Sequence, residues 1–161
     1  MNHDNYSNQY IREILTDSHV VAMVGASPNW NRPSFFVMKY LQAKGFRVLP
    51  INPAAEGQEI LGENVYASLE QLPCKVDLVD IFRNSEAAGP ITDQAIKINA
   101  KAVWMQLTVR NDAAAARAEK AGLKVVMNRC PKIEFARLNG EIGWSGVNSG
   151  VISSKRRKIS S

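Results

Sequence analysis

A short apolar run that stops at a glycine constrains the fold of this chain more than any other sequence feature. The run, VVAMV, occupies 20–24, and the turn-forming sequence GASP follows it from Gly25. An apolar run of this length between turn signals is typical of a strand that a parallel sheet buries on both faces. A helical pattern begins near Ser34, so the stretch predicts a strand, a turn and a helix N-terminus, which together form an anion-binding corner.

Four more apolar runs predict further strands, and helical patterns separate most of them. The predicted strands are 20–24, 46–51, 76–82, 102–107 and 123–127, with a very short addition at 65–66, and the predicted helices are 11–15, 34–44, 90–99 and 112–121. Alternation of strands and helices is typical of right-handed βαβ units. The chain therefore predicts an α/β protein with a Rossmann-like three-layer α/β/α fold and a parallel sheet of five to six strands.

Length and composition favour one domain. The chain has 161 residues, 45% of them hydrophobic and 22% charged, which is enough to bury a core. We expect a single domain over 1–152 and a basic, disordered tail over 153–161, where the sequence KRRK stands among serines. Residues 1–10 are polar, so we expect them to be loosely attached and to form no signal peptide. No apolar run is long enough to cross a bilayer, and no membrane partner is predicted.

The cysteines, histidines and charges narrow the function classes. Two cysteines, Cys74 and Cys130, form no disulfide framework and indicate a reducing, cytoplasmic compartment. His3 and His19 stand far from both, so no metal site is predicted. The net charge of +5 suits an anionic ligand. Binding of nucleic acid through the tail is a less favoured alternative, which a steep salt dependence of the affinity would reveal.

Ligands of an open, doubly wound sheet bind beyond the carboxyl ends of its strands. Small residues at Gly25 and Ala26 are expected to leave the backbone open to a pyrophosphate, and Arg32 and Arg83 to neutralise phosphates. The hydroxyls of Ser27 and Ser34 can donate hydrogen bonds, Phe82 offers an apolar surface for adenine, and Asn52 can bond a ribose hydroxyl or a phosphate. The alternatives are that Phe82 and Trp104 belong to the core, that Arg83 is a solvated loop charge, and that Asn52-Pro53 is a plain turn.

Two absences from the sequence bear on the choice of ligand. A dinucleotide fingerprint has three glycines after the first strand, and here only Gly25 stands in place. An NAD site usually has an acidic residue at the end of the second strand, where this chain has Asn52. Both observations disfavour NAD and allow a ligand with a phosphorylated ribose.

Six motifs together resemble those of the small stand-alone CoA-binding proteins, whose domain is similar to the CoA-binding domain of the succinyl-CoA synthetase alpha subunit. The motifs are VGAS at 24–27, RPS at 32–34, INP at 51–53, VDIFR at 79–83, AVWMQL at 102–107 and VVMNRCPKIE at 125–134. The resemblance covers about residues 10–138. Two positions depart from the family pattern: Ala54 and Ala55 stand where a lysine is common, and Thr108 stands where a glycine is common.

The resemblance implies a protein that binds CoA or an acyl-CoA as a non-catalytic carrier, sensor or regulator. The predicted ligand-binding residues are Gly25, Ala26, Ser27, Arg32, Pro33, Ser34, Asn52, Pro53, Phe82, Arg83, Trp104 and Gln106; no catalytic residue is predicted. An NAD(P)-binding oxidoreductase on the same fold is the alternative. A homo-oligomer is left open, as is a mixed disulfide between CoA and Cys130, for which the competing interpretation is a small buried residue.

Overall fold

The computed structural model describes residues 1–140, which form an α/β fold. Five helices occur in these residues: α1 (Asn8–Asp17), α2 (Pro33–Ala43), α3 (Ser85–Lys97), α4 (Asp112–Lys120) and α5 (Pro131–Leu138). The strands are β1 (Val20–Val24), β2 (Arg47–Ile51), β3 (Glu59–Ile60), β4 (Glu63–Asn64), β5 (Leu78–Ile81), β6 (Ala102–Met105) and β7 (Lys124–Val126). Short 3-10 helices cover Pro53–Ala55 and Leu69–Gln71.

The main sheet has five parallel strands in the order β2-β1-β5-β6-β7, while β3 and β4 form a small antiparallel pair. In the main sheet, β2 lies on one side of β1, and β5, β6 and β7 lie on the other side. The point where the strand order reverses therefore lies between β1 and β5. At its carboxyl end, Val24 of β1 pairs in register with Ile51 of β2 and with Ile81 of β5. The predicted fold class is confirmed.

Helices cover both faces of the sheet, as the alternation of side chains requires. Val21 and Met23 of β1 belong to a core that also holds the apolar residues of α1, α2 and α5. Ala22 and Val24 belong to the opposite core, to which α3 and α4 contribute mainly alanines. The strands are apolar on both sides because neither face of the sheet meets water.

Residues 1–10 are anchored, contrary to the expectation of a loosely attached terminus. The Tyr10 hydroxyl accepts a hydrogen bond from the Val125 N–H and donates to the Val125 carbonyl, both at 2.9 Å, and Tyr6 accepts from the Met127 N–H at 2.9 Å. Burial raises the pKa of Tyr10 to about 12, so its hydroxyl keeps the proton that it donates. These tyrosines satisfy backbone groups at the free edge of β7, which would otherwise be open to pairing with another chain.

Two helix boundaries differ from the sequence prediction. Helix α3 begins before Pro90, which was expected in its first turn, because Asn84 caps the helix by accepting a hydrogen bond from Ala87 N–H at 2.8 Å. Pro90 is accommodated inside the helix. Helix α5 was not predicted, although Pro131 occupies the first helical position that proline favours.

The C-terminal segment 141–161 lies outside the described residues, so the domain bounds 1–152 and the tail 153–161 stay predictions. Within residues 1–140, no helix is both long and apolar enough to span a membrane.

Candidate functional site

A cleft of about 1130 Å³ opens at the carboxyl ends of β1, β2, β5 and β6. It brings together ten of the twelve predicted residues: Gly25, Ser27, Arg32, Pro33, Ser34, Asn52, Pro53, Phe82, Arg83 and Gln106. Six further residues line it: Ala54, Asn84, Ser85, Leu107, Thr108 and Val109. Asn84 was expected at the crevice from its place after the third predicted strand, and Leu107 lies within the predicted strand 102–107. Ser85, Thr108 and Val109 would have been found by extending the two predicted strand ends by two or three residues. That any of these side chains contacts a ligand stays a prediction.

The backbone N–H groups that follow β1 form hydrogen bonds to the neighbouring strand. The N–H groups of Gly25 and Ala26 both point to the Ile51 carbonyl of β2, at 2.9 and 3.3 Å. A Cβ at Gly25 would lie 2.5 Å from the Phe82 carbonyl oxygen, and the φ angle of 92° also requires glycine. The Ile51 carbonyl of β2 thus accepts from both N–H groups, and the approach of a pyrophosphate to the backbone at Gly25 stays a prediction. Ala26 itself is buried and does not line the cleft.

Two serines link the turn to the start of α2. The Ser34 hydroxyl oxygen accepts a hydrogen bond from the Ser27 N–H at 3.1 Å, and the Ser27 hydroxyl accepts from the Asn29 N–H at 3.1 Å. A hydroxyl group that accepts one hydrogen bond still has its own proton to donate. Both serines therefore fix the loop and keep a donor for an anion in the cleft.

Two arginines give the cleft its positive charge. Arg32 occupies the N-cap position of α2, where its side chain makes no capping bond, and Pro33 follows at the first helical position. Arg83 lies directly over the end of β1, since its Cδ would be 3.1 Å from a Cβ at Gly25. Neither guanidinium forms an ion pair or a hydrogen bond with residues 1–140. The N-terminal end of the α2 dipole adds positive potential at the same place.

Asn52 holds the turn after β2. Its Nδ2 donates to the Ala26 carbonyl at 2.9 Å, and its Oδ1 accepts from the Ala54 N–H at 3.0 Å. Both ends of the side-chain amide are thus engaged by the protein. Asn52 and Pro53 both line the cleft, and a contact between Asn52 and a ribose hydroxyl or phosphate stays a prediction.

The predicted aromatic residues divide between cleft and core. Phe82 is half-buried and lines the cleft, as predicted. Trp104 is 0% exposed, and its indole Nε1 donates to the Arg129 carbonyl at 2.9 Å. Trp104 is therefore a core residue and not a ligand contact. Side chains alternate between the two faces of β6, and that of Trp104 lies on the face that α1, α2 and α5 cover. Cys130 is also buried and begins α5, which favours the small buried residue over a reactive thiol.

The turn after β6 is strained. Thr108 has a φ angle of 73°, a conformation that is a genuine outlier for a β-branched residue. Asn128 stabilises it: its Oδ1 accepts from the Thr108 N–H at 2.7 Å, and its own N–H donates to the Val109 carbonyl at 3.0 Å. The family's glycine at this position would adopt the same φ angle freely, so the departure at Thr108 changes the side chain that the turn presents to the cleft.

A parallel sheet that reverses its strand order beside a cationic cleft defines the class of Rossmann-like nucleotide-binding domains. Residues 19–136 match the family described as CoA binding domain, and the chain belongs to this family. The resemblance noted from the motifs is thus confirmed.

The matches to three similar proteins extend over most of this chain. The uncharacterized protein YneT of Bacillus subtilis is 32% identical over 132 residues, which are 82% of this chain and 96% of YneT. A hypothetical protein from Pyrococcus horikoshii has 41% identity and a TM-score of 0.79, with 85% of this chain and 95% of that chain covered. The dinucleotide-forming acetyl-coenzyme A synthetase 1 of Candidatus Korarchaeum cryptofilum has 25% identity and a TM-score of 0.61. The match covers 70% of this chain but only 26% of that synthetase chain.

Proposed function

We propose that this protein binds CoA or an acyl-CoA in the cleft at the carboxyl ends of the strands. The observation that carries the proposal is the pair of arginines, Arg32 and Arg83, which face the cleft without a carboxylate partner in residues 1–140. Arginine forks suit phosphate oxygens, and CoA supplies a diphosphate and a phosphorylated ribose. Membership of the CoA-binding domain family supports the same ligand.

The role is that of a non-catalytic carrier, sensor or regulatory protein. The described residues that line the cleft include no carboxylate, imidazole, amine or thiol side chain that could serve as a general base or strong nucleophile.

The free cysteines Cys74 and Cys130 support a reducing compartment such as the cytoplasm. The NAD(P) alternative is not favoured, since only Gly25 of the three fingerprint glycines is present, and Asn52 in place of an acidic residue also disfavours NAD.

Calorimetric titration with CoA, acetyl-CoA, NAD and NADP in parallel tests the ligand. We expect CoA or acetyl-CoA to bind and the dinucleotides not to bind. Arg32→Ala and Arg83→Ala should each weaken CoA binding by about tenfold, because each removes a charge-assisted hydrogen bond to phosphate. The matched control is Arg117→Ala, whose guanidinium is exposed and paired with Asp93 at 2.8 Å, and which should leave the affinity unchanged. Tight NADP binding without CoA binding would refute the proposed ligand.

A further inference from the structure

Gln106 lines the cleft, and its buried amide oxygen, Oε1, has no hydrogen-bond partner in residues 1–140. The side chain is only 9% exposed, so water reaches little of it. A buried acceptor without a donor destabilises a folded protein, and such groups are uncommon in native structures. The unliganded protein therefore retains an unused acceptor in the wall of its binding cleft.

The chemistry of this atom selects the part of a ligand that it can bind. Phosphates offer only acceptor oxygens at neutral pH, so Gln106 Oε1 cannot bond them, whereas Arg32 and Arg83 can. An N–H or O–H group is the complement of Oε1. CoA carries such donors away from its phosphates, notably the two amide N–H groups of its pantetheine arm.

Gln106 stands at one end of the cleft and Asn52 at the other. Arg83 stands at the end of β5 and Arg32 at the start of α2, the helix that follows β1, while Gln106 stands at the end of β6 and Asn52 at the end of β2. Strands are spaced by about 4.8 Å, so these two amides mark opposite ends of a cleft roughly 14 Å across. The amide of Asn52 is engaged by the protein at both ends, and that of Gln106 is free at its oxygen.

The turn that carries Gln106 is rigid. The Gln106 N–H donates to the Ile81 carbonyl at 3.2 Å, and the Gln106 carbonyl accepts from the Val109 N–H at 2.8 Å. The strained Thr108 lies between them and is held by Asn128. A wall fixed in this way binds a ligand at a lower cost in conformational entropy.

We propose that Gln106 is the specificity-determining residue for the amide-bearing pantetheine arm of CoA. Rotation about the soft terminal torsion of the side chain turns Oε1 into the cleft, where it accepts an amide N–H of the arm. The inference rests on the proposed function, since it assigns an orientation to CoA within the same cleft.

The test compares CoA with adenosine 3′,5′-bisphosphate, a nucleotide that has phosphates but no pantetheine arm. Gln106→Met keeps the length of the side chain and removes the acceptor. We expect it to weaken CoA binding by about tenfold in calorimetric titration and to leave the bisphosphate affinity unchanged. Gln71→Met is the control, because the Gln71 Oε1 already accepts from the Ala67 N–H and lies outside the cleft; it should change neither affinity.

A stability measurement separates a ligand contact from a structural role. Since Gln106→Met removes an unpaired buried oxygen, the unliganded variant should unfold at the same or a higher temperature than the wild type. Lower affinity for CoA together with undiminished stability supports the proposal. A loss of thermal stability would assign Gln106 to the fold and overturn it.

The remaining outcomes are also decisive. Equal losses of CoA and bisphosphate affinity would place the nucleotide against Gln106 and overturn the orientation. An unchanged preference for CoA in Gln106→Met would overturn the role of Gln106 while leaving CoA binding itself intact. Failure of the wild type to bind CoA would instead refute the proposed function.

Discussion

The main sheet uses charged residues in opposite ways at the amino ends and at the carboxyl ends of its strands. These two rows of strand ends are called the amino edge and the carboxyl edge. At the amino ends of the strands, a smaller cavity of about 480 Å³ is lined in part by Lys101 and Lys124. Lys101 pairs with Asp77 at 3.4 Å, and Lys124 pairs with Glu13 at 3.4 Å. At the carboxyl ends, Arg32 and Arg83 have no such partner within residues 1–140.

This difference separates charged groups that are paired within the fold from charged groups that we propose bind a ligand. At the amino edge, Asp77 accepts hydrogen bonds from the N–H groups of His19 and Val20, both at 2.9 Å, and so closes the start of β1. At the carboxyl edge, a charge without a partner keeps its full interaction for an incoming anion. Both edges have a cavity, so the presence of a cavity alone would not have identified the site.

The largest expected effect concerns one glycine at each edge. Gly25 at the carboxyl edge and Gly122 at the amino edge have φ angles of 92° and 95°. Gly25→Ala should destabilise the protein by about 3 kcal/mol, because it combines an unfavourable φ angle with a Cβ that lies 2.5 Å from the Phe82 carbonyl oxygen. Urea denaturation measures the change in the free energy of unfolding.

Gly122→Ala is the matched control for that experiment. A Cβ at Gly122 would meet no atom within 4 Å, so only the φ angle is unfavourable and the cost should be about 1 kcal/mol. Equal losses in the two variants would show that the close approach of the β1 and β5 ends contributes nothing.

A smaller effect is expected at Asp77. Burial opposes ionisation of this carboxyl group, but the N–H groups of Val20 and His19, together with Lys101, outweigh it and lower the pKa of Asp77. Asp77→Ala should therefore destabilise the fold by about 2 kcal/mol at pH 7 and leave the CoA affinity of the folded protein unchanged. Asp17→Ala, in which the replaced carboxylate is exposed and makes no bond within the described residues, should cost almost nothing. A large loss of CoA affinity in Asp77→Ala would contradict the division of roles between the edges.

The smallest effect is a pH dependence at Asp80, in the interior between the two edges. This side chain is 0% exposed, neither carboxyl oxygen has a partner in residues 1–140, and burial raises its pKa well above the usual value. The folded state therefore holds a proton that the unfolded state releases above pH 4, so stability falls as the pH rises towards the folded pKa. As the pH rises above 4, the wild type should therefore lose stability more steeply than Asp80→Asn, measured by urea denaturation at a series of pH values. If the free energies of unfolding of the wild type and Asp80→Asn changed in parallel with pH, Asp80 would be excluded as the source of the pH dependence.

Some parts of the site could be predicted from the sequence, and others could not. Phe82 and Arg83 were placed correctly at the cleft because they follow the end of β5, and Arg32 because the start of α2 lies at the same edge of the sheet. Trp104 was misplaced because the run AVWMQL does not reveal which side chains point under a helix. The bonds of Asn52 to Ala26 and Ala54 join two loops, and no local pattern predicts such a contact.

The sequence by itself determined the alternation of strands and helices, the parallel sheet and the edge at which the cleft opens. These follow from apolar periodicity and turn residues, which act over a few neighbouring positions. Only the tertiary structure decided which donors and acceptors remain free: the Ile51 carbonyl of β2 accepts from the Gly25 and Ala26 N–H groups, whereas the Arg32 guanidinium and the acceptor Gln106 Oε1 have no partner in residues 1–140. Hydrogen bonds between distant segments depend on how the elements pack, and packing is a property of the whole fold rather than of any one stretch.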